Sequence, residues 1–486
     1  MKDVHTLKKK RKKRWLLVII AFIMLYAAVI VYQTHKPLPA GLSMEGPIHR
    51  VTDADIEFLS DLTYKGKLQD RINQEQMIFD HIYQAIEAAR QFVVIDMFLI
   101  NGYYKTGQSF PPLSRMFIDK LIAQKEKYPD LDMVVITDEI NTSYGSHASP
   151  ELERLKGAGI RTVITNVDAL RDSNPLYSAG WRIFVQWFGQ SGRGWLPNSM
   201  SDKAPDMTLR SYMKLLNAKA NHRKVIATEK TLIVPSGNAH DASSYNSNSG
   251  FEIKGNIIGD ALESEQAVMN LSDSPMQLPT YNRIGQENGD IEVRLLTEGK
   301  ILNHLRNEIT EAKLGDTLWM GMFYLADREV IQLLLQAADR GVQVKLILDP
   351  NESAFGNGKI GIPNRPVASE LLEKSHNRIE IRWYHTTQEQ YHTKLMLVEH
   401  EGRAVIQNGS ANFTTRNLAD LNLETNIEVS APLTSKLAQD VQRYFLKIWR
   451  NDGAEYTLDA SSYKDKSIGV KRVLYKLQDW LDFTTF

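Results

Sequence analysis

Apolar residues along the chain fall into two kinds of pattern. Trp15 to Tyr32 is one uninterrupted uncharged run, and as a helix of 18 residues it spans about 27 Å, enough to cross the hydrocarbon of a membrane. Beyond about residue 75, short apolar runs alternate with stretches of helical spacing, and the alternation occurs twice in the same order. In the second pass, Thr317 to Leu325 predicts a strand, and Arg328 to Arg340 a helix started by Asp327 and stopped by Gly341. Val342 to Leu348 predicts a strand, Pro366 to Ser375 a helix and Arg378 to Trp383 a strand, before two apolar runs that read as a hairpin opened by His392. The first pass gives strand Phe92 to Ile100, helix Leu113 to Lys127, strand Met133 to Thr137, helix Pro150 to Lys156 and strand Ile160 to Thr165, then a hairpin opened by His222. Met97-Phe98-Leu99 in one pass answers Met322-Phe323-Tyr324-Leu325 in the other.

Strands alternating with helices predict an α/β fold, with two tandem domains whose sheets are covered by helices on both faces. The expected organisation is a basic N-terminus (1–14), a transmembrane helix (15–32), a juxtamembrane segment (33–75) and a first domain (76–267). A linker (268–290), a second domain (291–465) and an amphipathic C-terminal helix (466–486) complete the chain. The first domain is longer by about 55 residues, and the excess falls at about 167–220.

The candidate chemistry lies where the hairpins begin. His222-Arg223-Lys224 and His392-Thr393-Lys394 each open an apolar run, reach an acidic residue (Glu229, Glu399), turn, and return to a Ser-x-Asn, Ser236-Gly237-Asn238 and Ser410-Ala411-Asn412. Side chains alternate along a strand, so each histidine shares a face with its lysine. If a pseudo-twofold joins the halves, two imidazoles and two ammonium groups converge on one pocket. That set suits a phosphodiester: lysines stabilise the non-bridging oxygens, one neutral imidazole attacks phosphorus and the other protonates the leaving oxygen. Ser236, Asn238, Ser410 and Asn412 offer neutral hydrogen bonds to the phosphate or to the imidazoles. A metal is not expected, since lysine is a poor ligand and no His/Cys/Asp cluster with ligand spacing surrounds either motif.

These residues resemble the phospholipase D superfamily, whose motif reads His-x-Lys-x4-Asp followed by Gly-Ser-x-Asn, and the layout looks most like bacterial cardiolipin synthases. His222, Lys224, Ser236 and Asn238 match one copy, and His392, Lys394, Gly409, Ser410 and Asn412 the other. Asn426-Ile427-Glu428 is similar to the family's Asn-x-Glu, which implies that Glu428 orients a catalytic histidine; Phe251-Glu252-Ile253 is its counterpart after the first copy. The resemblance implies a metal- and cofactor-free transfer through a phosphohistidine, with water or an alcohol as acceptor. Two departures stand out: Glu229 and Glu399 replace the motif aspartate, and Pro235 replaces the first motif glycine.

Charge narrows the partner. Residues 1–14 hold eight of the 58 basic residues and one of the 58 acidic ones, leaving 50 against 57 in residues 15–486. A net charge near −7 disfavours a nucleic-acid substrate and, with the anchor, favours a phospholipid at a membrane. The basic cluster Lys8 to Arg14 places the N-terminus in the cytoplasm and the catalytic region outside, with an uncleaved anchor preferred to a signal peptide. The expected activity is that of a membrane-anchored phosphatidyltransferase or phospholipase D. An envelope-exposed nuclease or other phosphodiesterase, and a noncatalytic relative, are the alternatives. In the insertion, Trp181, Phe184, Val185 and Phe188 would share one helical face, either packed on the domain or dipping into lipid. Val470, Val473, Leu474, Leu477 and Leu481 pose the same question near the C-terminus.

Overall fold

A computed structural model describes residues 2–66, 71–272, 274, 276–354, 357–463 and 467–480. Two mixed sheets organise the chain, and both are built by the same run of elements. In the first sheet the strand order is Ile56–Ser60, Ser249–Ile253, Leu232–Pro235, Lys224–Thr228, Phe92–Met97, Asp132–Thr137 and Arg161–Ile164. In the second it is His49–Val51, Ile291–Thr297, Thr425–Pro432, Arg403–Gly409, Lys394–His400, Thr317–Met322, Gln343–Leu348, Glu380–Tyr384 and Thr457–Asp459. Three strands in each sheet run parallel through helical crossovers, and the hairpin that follows the histidine joins them antiparallel.

The alternation of side chains sorts the apolar residues into layers. In Phe92–Met97, Phe92 and Val94 face a central core shared by both sheets, whereas Val93, Ile95 and Met97 face an outer core under the helices Ile78–Ala88, Leu113–Lys127 and Pro150–Gly157. In Lys394–His400, Leu395 and Leu397 face the shared core, and Met396 and Val398 the outer core of the second sheet. Helix starts follow local chemistry. The Asp327 carboxylate accepts from the backbone N–H of Glu329 and Val330, and the Ser149 and Ser435 hydroxyls cap Pro150–Gly157 and Lys436–Arg450.

Four expectations change. The juxtamembrane segment 33–75 contributes strands to both domains: His49–Val51 pairs with Ile291–Thr297 at the edge of the second sheet, and Ile56–Ser60 pairs with Ser249–Ile253 at the edge of the first. Helix Ile257–Leu271 occupies the first residues read as linker, and residues 273 and 275 of that stretch lie outside the described residues. In the insertion, helix Pro175–Phe184 ends before Val185, so the four residues do not form one face. Trp181 turns inward, while Phe184 and Phe188 stay exposed. Helix Ile468–Trp480 seats Tyr475 against the body, its hydroxyl donating to the Ala326 carbonyl at 2.7 Å, and leaves Val470, Val473, Leu474 and Leu477 exposed. Leu481 lies outside the described residues.

Candidate active site

Both histidines sit where the halves are stitched together. Asn221, before the first hairpin, bridges to Leu423 of the second half, and Tyr391, before the second hairpin, bridges to Ser247 of the first. The His222 N–H donates to the Leu423 carbonyl at 2.9 Å and the His392 N–H to the Ser247 carbonyl at 2.8 Å. Behind each histidine a buried aspartate fixes the preceding backbone: Asp138 accepts from the Asn221 N–H, and Asp349 from the Tyr391 N–H, each at 2.7 Å. Burial pushes both carboxyls up to about 7.

The rest of each half repeats the other. Lys224 Nζ donates to the His222 carbonyl, and Lys394 Nζ to the His392 carbonyl, both at 2.8 Å. Phe98 packs on the His222 ring at 4.8 Å and lies 5.3 Å from Lys224 Nζ; Phe323 does the same for His392 at 5.0 Å and Lys394 at 5.3 Å. Both imidazoles line one cavity of about 350 Å³, together with Asn238 and Asn412, whose side-chain carbonyl oxygens are buried without a partner. Apolar walls come from Met200, Leu215 and Leu216 of the insertion.

Charge is costly in this pocket. Burial holds both imidazoles well below their usual value, and the two lysines lower them further. Burial brings Lys224 down to about 7 and pushes Lys394 well below the usual ammonium range, where Lys224 depresses it further. An anion bound here would reverse these shifts, because its charge offsets the mutual repulsion. The neutral form that burial favours keeps a lone pair on each imidazole.

The partners of the histidines differ from those expected. His222 Nδ1 lies 3.0 Å from the Glu424 carboxylate, and His392 Nδ1 lies 3.3 Å from Asn248 Oδ1. Glu424 and Asn248 hold equivalent places, one residue before Thr425–Pro432 and Ser249–Ile253. Ser410 and Ser236 are fully buried and hold these partners: the Ser410 hydroxyl donates to Glu424, the Ser236 hydroxyl to Asn248 at 3.3 Å. They position groups that orient the rings and do not line the cavity.

Glu428 does not reach His222 or His392. Four residues along a strand, about 13 Å, separate it from Glu424, and it pairs with His304 Nδ1 at 2.8 Å. Glu252 likewise pairs with His81 Nδ1 at 2.6 Å, on the flank of the first sheet. Glu229 and Glu399 lie at the turn ends of the hairpins, five residues or about 17 Å from the lysines. Glu229 accepts from the backbone of Arg90 at 2.8 Å and Glu399 from Gln442 at 2.7 Å. Replacing aspartate there leaves the pocket untouched.

The Pro235 departure has a steric compensation. A Cβ on Gly409 would collide with the Thr425 carbonyl, so the second hairpin needs glycine at this point. In the first hairpin the glycine is on the facing strand: Pro235 pairs with Gly250, where Gly409 pairs with Asn426. Among the described residues, one His/carboxylate grouping has ligand atoms within 4.8 Å of one another, Glu57, His81 and Glu252, and none of the three lines the cavity. No residue around the histidines assembles a metal-ligand set among the described residues.

Residues 305–449 match the family described as "Cardiolipin synthase, PLD-like domain". No curated protein matches the sequence. Among solved structures, the phosphatidylserine synthase of Haemophilus influenzae Rd KW20 shares the fold at 12% identity and a TM-score of 0.54, over 90% of this chain and 95% of that one. Nuc, a phospholipase D family member from Salmonella typhimurium, aligns at 20% identity and a TM-score of 0.27, over 35% of this chain and 97% of its own.

Proposed function

We propose that this chain, whose residues 305–449 match a PLD-like domain, is a phosphatidyltransferase or phospholipase D that acts on glycerophospholipids at a membrane. The observation that carries the reading is the placing of His222 and His392, one from each half, on a single cavity backed by Lys224 and Lys394. The apolar wall from the insertion and the adjoining apolar helix favour a lipid over a nucleic acid.

Glu424 distinguishes the two histidines. Its carboxylate accepts the Nδ1 proton of His222, leaves Nε2 with its lone pair towards the cavity, and compensates the positive charge that develops when that nitrogen bonds phosphorus. Asn248 gives His392 only a neutral acceptor, so its imidazolium parts with a proton more readily. His222 therefore attacks phosphorus, the P–O bond to the leaving alcohol breaks, and His392 supplies the proton to that oxygen. In the second step His392 takes a proton from water or an alcohol, whose oxygen bonds phosphorus as the N–P bond breaks. Lys224, Lys394, Asn238 and Asn412 hold the phosphate.

Incubation of the purified full chain with phosphatidylglycerol vesicles is expected to yield phosphatidic acid or cardiolipin, read by mass spectrometry. Absence of any product that depends on His222 overturns the proposal, and His392-dependent cleavage of single-stranded DNA would replace the substrate class.

A further inference from the structure

The helix Lys2–His35 is long and apolar enough over Lys10–His35 to cross a membrane, and its apolar window is not buried by the body. Its C-terminal half is nevertheless accompanied. The Arg171 Nε donates to the Lys36 carbonyl at 2.9 Å, and the Asp172 N–H to the Gln33 carbonyl at 3.1 Å. Further along, the Tyr26 hydroxyl donates to the Leu176 carbonyl, and Phe184 packs on Phe22 at 6.0 Å. As the insertion advances from 171 to 184, its contacts retreat along the first helix from 36 to 22. The helix Pro175–Phe184 thus runs antiparallel down the anchor. From Tyr32 to Phe22 is ten residues, about 15 Å, or half the hydrocarbon thickness.

This element is apolar on its outward side as well as within. Its inward side carries Ala179 and Trp181 together with Ser178 and Arg182, the last held by Asp172 at 2.7 Å with Lys219 on the same carboxylate, also at 2.7 Å. Its outward side presents Leu176 at 60% exposure and Phe184 at 56%, followed by Trp187 at 74% and Phe188 at 66%. Four large apolar side chains, contiguous with an apolar helix, form a patch of a kind that water-exposed surfaces avoid. The same element borders the active site: Asn174 and Lys219 line the cavity, and the Asn174 amide donates to the carbonyl of Leu216, another lining residue, at 2.7 Å.

We propose that Pro175–Phe188 is a membrane wedge, embedded beside the anchor in the leaflet nearest the catalytic body, with Leu176, Phe184, Trp187 and Phe188 in contact with acyl chains. Exposed tryptophan and phenylalanine at the tip of an apolar patch match what an interfacial element presents to lipid. The wedge brings the cavity to the headgroup level, so a phospholipid reaches His222 laterally and keeps its acyl chains in the bilayer. The lateral entry rests on the catalytic role proposed for His222, whereas the depth of the wedge rests only on the anchor.

The chain has no cysteine, so a single introduced thiol reports its own position. Trp187→Cys and Phe188→Cys, labelled with an environment-sensitive fluorophore in vesicles of phosphatidylglycerol and phosphatidylethanolamine, are expected to be quenched by nitroxide on the acyl chains and shielded from aqueous iodide. Ile19→Cys, on the anchor, should behave alike, and Leu314→Cys, 81% exposed on the second domain, should show the opposite. Iodide quenching of the Trp187 and Phe188 labels with lipid quenching of Ile19 overturns the wedge; loss of lipid quenching at all three overturns the wedge and the anchor together. Trp187→Ser with Phe188→Ser is expected to slow turnover of bilayer phospholipid by about tenfold with cleavage of the soluble bis(p-nitrophenyl) phosphate unchanged. An equal loss on both substrates overturns the lateral-entry role. Should no His222-dependent product form at all, the catalytic reading falls while the quenching result stands.

Discussion

Around His222 the ring is held by a carboxylate, Glu424; around His392 the same place in the fold is taken by an amide, Asn248. Almost everything else about the two halves agrees, from the lysine on the histidine carbonyl to the phenylalanine beneath the ring and the aspartate behind it. A duplicated scaffold supplies two equivalent imidazoles, but two-step phosphoryl chemistry needs an attacker and a proton donor. In the proposed mechanism a single residue difference separates those roles. The flanks diverge in the same way: Glu428 faces Arg294 across the strands, whereas its counterpart Glu252 faces Glu57.

Four experiments bear on this asymmetry. The largest expected effect is the loss of activity in His222→Ala, on the order of 10⁴ to 10⁶-fold, with no phosphorylated protein on rapid quench. His392→Ala should lose about 10² to 10⁴-fold and still form the phosphohistidine from a substrate with a good leaving group. Identical behaviour of the two variants would erase the assignment.

Next is Glu424→Gln, which makes the halves alike. Turnover at pH 7.5 should fall about 10² to 10⁴-fold, since an amide in this place neither fixes the tautomer nor balances the charge. Burial pushes the Glu424 carboxyl up to about 7, so wild-type turnover should decline as pH falls below 7, and this limb should vanish in the variant. The sign for stability is opposite. A carboxyl whose folded pKa is raised contributes its stability below the unfolded value and loses it as pH rises through about 7. Glu424→Gln should therefore melt higher than wild type at pH 8 and alike at pH 5 by differential scanning calorimetry.

The converse change, Asn248→Asp, gives both rings a carboxylate. It should raise the His392 pKa, move the alkaline limb of the rate profile up by about one unit and slow turnover by about tenfold, because the proton is held more tightly. An unchanged profile would remove His392 from proton transfer. The smallest effects belong to Glu229→Asp and Glu399→Asp, which restore the family's motif letter. Turnover should stay within about twofold, with a stability change of about 1 kcal/mol or less, since both side chains serve the hairpin ends.

The duplication is legible in the sequence because it rests on local signals: His-x-Lys at the start of an apolar run, aspartate and serine caps, and helical spacing repeated in one order. The lysines and histidines stand out for the same reason. Their partners do not, because Glu424 and Asn248 reach His222 and His392 across the pseudo-twofold, 202 and 144 residues away. Nothing local marks such a relation. The Asn-x-Glu triplet draws attention to Glu428 instead, too far along a strand whose site end lies at Glu424. The serines mislead by chemistry rather than place: a hydroxyl near a phosphate site suggests a ligand, yet full burial commits both to the groups that hold the rings. The short edge strands His49–Val51 and Ile56–Ser60 escape notice because three and five residues carry too little alternation to detect.

Those two strands decide how the chain tolerates truncation. Fourteen residues beyond the first helix, the polypeptide closes the edge of one sheet and then the edge of the other. A soluble version cut at residue 76, where the repeated pattern begins in the sequence, would bare the backbone N–H and C=O groups of Ile291–Thr297 and Ser249–Ile253 together. Open edges of that kind recruit other chains, so such a fragment should form oligomers and inclusion bodies. A cut just after His35 keeps both edges covered and should remain monodisperse in detergent.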